Sequence, residues 1–142
     1  MCLVLLLAFS SAAKAQNCRV QVMTDVAFGT YDPVGSGNLD ANGMMRVRCS
    51  PPSATVTVKL DTGLGGGYQP RYLQSGSDRL AYNLYLDASR TTVWGDGTSG
   101  TDYHTVNTSN NWVWVPVYGR TPLGQIVSAG NYSDTVVVTV EW

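Results

Sequence analysis

Few residues in this chain can do acid–base or nucleophilic chemistry, so their spacing is the first thing to weigh. His104 is the only histidine. A Ser–His–Asp relay draws its members from anywhere in a fold, but no Gly-x-Ser-x-Gly elbow is present, since Gly35-Ser36-Gly37 lacks the spacing. His104 therefore reads as an exposed loop residue. The aspartates are scattered among turn signals, and no pair stands out as the two carboxylates of a glycoside hydrolase. Asp96-Gly97-Thr98-Ser99-Gly100-Thr101-Asp102 offers oxygen ligands but lacks the closing bidentate Glu of a calcium loop, and reads as a glycine-rich turn. Leu64-Gly65-Gly66-Gly67-Tyr68 is not followed by the Lys-Ser/Thr that a phosphate loop needs. The expectation is a protein with no catalytic residues, no metal site and no cofactor.

Cysteine chemistry points to export. The first fifteen residues place a short apolar core ahead of Ala13-Lys14-Ala15, a small-x-small cleavage pattern. Residues 1–15 are expected to be a signal peptide and 16–142 one mature domain; the missing positive n-region suggests a start codon further upstream. Cys18 and Cys49 are then the thiols left, and in an oxidising compartment they most simply form one disulfide. With no histidine near them they make a poor zinc pair. Formal net charge is −1, from nine basic and ten acidic residues. Removing Lys14 with the leader leaves eight against ten, a net charge of −2. No basic run exists to attract nucleic acid, and none is expected as a partner.

Aromatic side chains are the other candidates for contact. Trp112 and Trp114 share one face of a strand pattern while Val113, Val115 and Val117 share the other. Tyr68 and Tyr72 lie near loops. These four can present a surface that binds sugars or apolar material, or can pack under long loops as part of the core. Arg120 reads as an ordered structural arginine.

The elements that must hold these residues are strands. Charged residues make up 13% of the chain against about 25% in ordinary globular chains, and helical surfaces are where such residues concentrate. Alternation marks strands at 18–22, 44–49, 55–60 and 80–87, a longer apolar run at 112–118, and a last strand at 134–142. Pro116 cannot donate to a ladder, so its strand should sit at an edge or bulge there. Dense turn signals separate these runs, among them Asp32-Pro33, Asn42-Gly43 and Asp96-Gly97. Six or seven short strands imply an all-β sandwich with Greek-key connections. The final strand is apolar up to Trp142, so either its edge is open for another chain to fill or the sandwich is closed by its own strands; the residues leave both readings standing.

The order of several short motifs resembles the spore coat protein U domain family, which includes pilins of the archaic chaperone–usher pili. They are Phe28-Gly29-Thr30-Tyr31-Asp32-Pro33, then Gly43 with Val47-Arg48-Cys49, then Leu80-Ala81-Tyr82-Asn83-Leu84 and Trp94-Gly95-Asp96-Gly97. The most specific stretch is Tyr118-Gly119-Arg120-Thr121-Pro122-Leu123-Gly124-Gln125, followed by Ala129-Gly130-Asn131-Tyr132-Ser133-Asp134. The resemblance implies an incomplete immunoglobulin-like sandwich, exported to the periplasm and then to the cell surface as part of a fimbrium. A periplasmic chaperone lends it a strand, and an outer-membrane usher exchanges that strand for one from a neighbouring pilus subunit. The groove for this strand is then expected along Val20, Val22, Val136, Val138, Val140 and Trp142. Gln16 and Asn17 alone would precede Cys18 after cleavage, too little for a donor strand, so the expected role is a tip or capping subunit. The rival expectation is a self-contained secreted module that binds carbohydrate or another surface.

Overall fold

The structure is a computed structural model and describes residues 17–50 and 55–142; the expected leader lies outside the described residues. Alternating apolar side chains and frequent turns give strands throughout and no helix among the described residues. The strands are β1 (Asn17–Thr24), β2 (Leu39–Ser50), β3 (Thr55–Leu60), β4 (Arg71–Ser75), β5 (Asp78–Tyr85), β6 (His104–Asn107), β7 (Val113–Thr121) and β8 (Val138–Glu141).

They form two layers, a five-stranded sheet in the order β1-β2-β7-β5-β4 and a three-stranded sheet in the order β6-β3-β8. Each strand contributes one face to the space between. Met45, Val47 and Cys49 of β2, Val56 and Val58 of β3, Tyr82 and Leu84 of β5 and Val115 and Val117 of β7 are buried there with Trp94. The alternation that marked these strands in the sequence is thus the alternation of core and outer face. Cys18 and Cys49 sit opposite each other in the β1–β2 register and are disulfide-bonded, so the two strands lie side by side.

Three expectations need correction. β4 and β6 went unread, because they are short and lack a clean alternation. The last strand is shorter than expected: 134–137 belong to no strand, and the β3–β8 ladder begins at Val138. His104 is a half-buried strand residue, not a loop residue, with its ring 5.6 Å from that of Trp94. A fourth concerns Pro116, whose strand is neither at a sheet edge nor bulged there. β7 is central in its sheet, but β5 pairs only with Tyr118, Gly119 and Arg120, so Pro116 has a ladder neighbour in β2 alone.

Candidate strand-acceptor groove

The two sheets are unequal. The three-stranded layer ends at β8, and the five-stranded layer ends at β1. The two edges come into contact, and beside them a groove of about 1110 Å³ opens over the inner face of the larger sheet. Its floor is apolar: Met45, Leu73, Leu80, Tyr82, Leu84 and Val117 from the larger sheet, with Leu60 from the smaller.

One wall is the segment that follows β1, residues 24–31. It lies against the sheet because two positions there have no side chain. A Cβ on Gly43 would come 2.8 Å from the Thr24 carbonyl oxygen and from a Val26 methyl, and one on Gly119 would come 2.6 Å from Val26 and 2.9 Å from Phe28. Such distances are closer than real carbons approach. Phe28 then meets Tyr82 edge to face at 5.9 Å. At the far end of this wall Tyr31 donates to the Pro122 carbonyl at 2.9 Å and accepts from Gln125 N–H at 2.8 Å.

The other wall is residues 127–136 with Val138. This segment crosses from one sheet to the other: Ser133 exchanges two backbone hydrogen bonds with Gln74 of β4, and Val138 then pairs with Leu60 of β3. Two aspartates pin the crossing. Asp134 accepts from Tyr82 Oη at 2.5 Å and from Leu64 N–H at 2.7 Å, and Asp61 accepts from Val137 N–H at 2.9 Å. Burial and the neighbouring Asp134 push the Tyr82 hydroxyl far above the ordinary tyrosine range, so it stays protonated and donates.

Beneath this crossing lies Arg71, fully buried. Its guanidinium donates to the Asp61 carbonyl at 2.7 and 3.0 Å, to the Trp94 carbonyl at 2.7 Å and to Asn83 Oδ1 at 2.9 Å. Burial lowers its pKa from the usual arginine value. The cation is held by carbonyl dipoles, with no carboxylate in ion-pair contact among the described residues.

The residues expected to form the groove are divided by this geometry. Val22, Val136 and Val138 line it. Val20 and Val140 are half-buried and pack on the core instead. Trp142 is 59% exposed and lies outside the lining. The four aromatic candidates do not form one cluster, though Trp112 and Trp114 share Arg46. Tyr68 donates to the Leu60 carbonyl at 3.1 Å and covers Arg71, Tyr72 sits on β4 beside Arg79, and Trp112 and Trp114 stand on the outer face of the β2–β7 pair. Sequence reading singled out motif stretches on both walls, at 28–33 and 129–134, but assigned neither stretch to the groove and gave no role to Asp61, Arg71 or Asp134. The motif glycines Gly43 and Gly119 were their visible trace.

Comparison with known proteins agrees with this architecture. Protein U of Myxococcus xanthus is 36% identical over 130 residues, covering 80% of this chain and 69% of that protein. Among solved structures, a chain of the CsuC–CsuE chaperone–tip adhesion subunit pre-assembly complex, from the archaic chaperone–usher Csu pili of Acinetobacter baumannii, superposes with a TM-score of 0.64 at 24% identity. A chain of a chaperone–tip adhesin complex of CFA/I fimbriae superposes with a TM-score of 0.56 at 14% identity. These matches cover 90% and 87% of this chain but 40% and 41% of theirs, so this chain spans about two-fifths of their length. At that identity they show the immunoglobulin-like fold. The spore coat protein U domain profile matches residues 4–139, and with that span, the disulfide-stapled sandwich and the Myxococcus relative, the chain belongs to the spore coat protein U domain family.

Proposed function

We propose that this protein is a structural or adhesive subunit of a bacterial surface fibre or coat, and that its groove accepts a β-strand from a partner. The observation that carries this is the open apolar groove between 24–31 and 127–138, beside the edges of β1 and β8, which pair with no further strand among the described residues. An exposed sheet edge over an apolar floor invites pairing with another chain. A strand laid there adds backbone hydrogen bonds at the edges and sends alternate side chains onto the floor, each aliphatic one contributing roughly 1.5–3 kcal/mol of burial. Thr121 Oγ1, buried on the groove lining without a partner among the described residues, is one orphan acceptor and donor an incoming strand can satisfy.

In this reading the chain is exported, meets a periplasmic chaperone that lends the strand, and passes through an outer-membrane usher to a neighbouring subunit at the cell surface, where it serves adhesion and biofilm formation. The role is mechanical, not enzymatic. The finer reading of a tip or capping subunit belongs to the same proposal and is supported by likeness in fold to structures that contain tip subunits.

The test is co-expression of the full chain with a chaperone of the chaperone–usher class. A one-to-one complex is expected from the native chain, and Val138→Lys, which puts a charge in the groove, should abolish it. A stable monomer that captures no chaperone, with both walls protected from hydrogen exchange, would overturn the proposal. Long polymers of this chain alone would exclude the capping role while leaving strand acceptance intact.

A further inference from the structure

The outer face of the β1–β2–β7 edge, across the sheet from the groove, has an arrangement that the strand-acceptor role does not use. Arg19 stands directly opposite Arg48 in the β1–β2 register, and Gln21 opposite Arg46. On the other side of β2, Arg46 is opposite Trp114. Arg46 Cζ lies 4.4 Å from the centre of the Trp112 ring and 5.6 Å from that of Trp114, and Arg48 Cζ lies 4.8 Å from Trp112. The tryptophans hold two guanidiniums in place by cation–π contact, and Gln21 fixes the Arg46 Nε at 2.8 Å. Trp114 remains 55% exposed.

None of the three arginines is in ion-pair contact with a carboxylate among the described residues; the ion pairs there belong to Lys59, Arg90 and Arg120. Like charges directly across a ladder are destabilising, yet the Cys18–Cys49 disulfide sits one residue from Arg19 and Arg48 and holds that pair in register. Between them lies a shallow depression of about 290 Å³ lined by Asn17, Arg19, Arg48 and Ser50. Concentrated uncompensated positive charge on a chain of net charge −1 is a feature that an anion explains. Guanidinium forks match carboxylates in a bidentate geometry. The open tryptophan surface suits the flat apolar face of a sugar ring. Successive outward side chains on a strand stand roughly 6.6 Å apart, so the site repeats along a flat face, as a polymer does. The disulfide places the chain in an oxidising compartment, where acidic polymers other than nucleic acids are met.

We propose that Arg19, Arg46, Arg48, Trp112 and Trp114 form a binding site for an acidic polysaccharide, with the guanidiniums taking its carboxylates and Trp114 its ring faces. The site lies on the face opposite the groove and stands independently of strand acceptance.

The test is binding of the full chain, alone or with its groove partner, to immobilised alginate, a polyuronate, at about 0.15 M salt, where surface charges further apart than about 8 Å are screened. Neutral dextran, phosphatidylglycerol vesicles and a single-stranded oligonucleotide form the comparison arms. Alginate should be bound in preference to all three. The triple variant Arg19→Gln, Arg46→Gln, Arg48→Gln should weaken it at least tenfold, about the loss of one charge-assisted contact, while still melting cooperatively, since the lost cation–π contacts are partly offset by relief of the Arg19–Arg48 repulsion. Arg48→Lys, which keeps the charge and loses the fork, should weaken it severalfold, and Arg79→Gln, on β5, should leave it unchanged. Equal binding by the triple variant, or capture by dextran, vesicles or oligonucleotide as tight as by alginate, would overturn the proposal.

Discussion

Tyr82 donates to Asp134 across 52 residues of sequence at 2.5 Å, tying the central strand β5 to the wall of the groove. The same carboxylate takes the Leu64 and Thr135 N–H groups, so one aspartate fixes the wall from three directions. Tyr82→Phe keeps the ring against Phe28 and removes the hydroxyl. It should lower stability by about 1.5–3 kcal/mol, the worth of a hydrogen bond to a charged group, read from urea unfolding. It should also weaken capture of a groove-filling chaperone, because the wall loses its anchor.

Gly119→Ala tests the opposite wall. The new methyl would stand 2.6 Å from Val26 and 2.9 Å from Phe28, so residues 24–28 must lift from the sheet. A loss of about 1–3 kcal/mol is expected, the usual cost of overpacking a filled core. Faster hydrogen exchange confined to 24–31 would locate the effect; unchanged exchange there would show that the wall does not rest on this glycine.

Arg71 is the buried charge on which the crossing depends. Arg71→Met fills similar space but leaves the carbonyls of Asp61 and Trp94 without this donor, while Asn83 Oδ1 keeps only the Leu84 N–H. Each buried orphan costs about 1–3 kcal/mol, so the variant should unfold at markedly lower denaturant or accumulate as aggregate. Arg71→Lys has too few donors to replace the fork and should rescue little.

The disulfide closes a loop with a sequence separation of 31. Replacing both cysteines by serine should cost about 3–4 kcal/mol in the chain-entropy account. Reduction of the native chain should lower the melting temperature to match the double variant.

His104 supplies a pH signature. Burial beside Trp94 lowers its pKa from the usual 6.5. The unfolded chain therefore takes up a proton at higher pH than the folded chain does. Stability is full above the ordinary histidine value, declines as pH falls from there toward the lower folded value, and levels off below it. His104→Gln should flatten that decline in a series of melts between about pH 7 and 5; an unchanged slope would assign it to other groups.

Much of this molecule was already present in its residue pattern. Thr55–Leu60 alternates so cleanly that the strand and its buried face, Val56, Val58 and Leu60, were both legible. Cys18 and Cys49 were paired on compartment and count, before any coordinates. Those are properties of local periodicity and of a small inventory, and sequence carries both. What only the tertiary structure decided is where backbone crosses without a ladder. Residues 24–31 and 127–133 have no period to read, because their positions are set by distant contacts: Gly43 and Gly119 beneath one wall, Tyr82 and the Gln74 backbone beneath the other. The same holds for the arginine–tryptophan face, since Arg19, Arg48 and Trp112 become neighbours only when β2 lies between β1 and β7. A strand's own side chains follow from its sequence; which strand lies beside it is a long-range choice made by the packing of the whole sandwich.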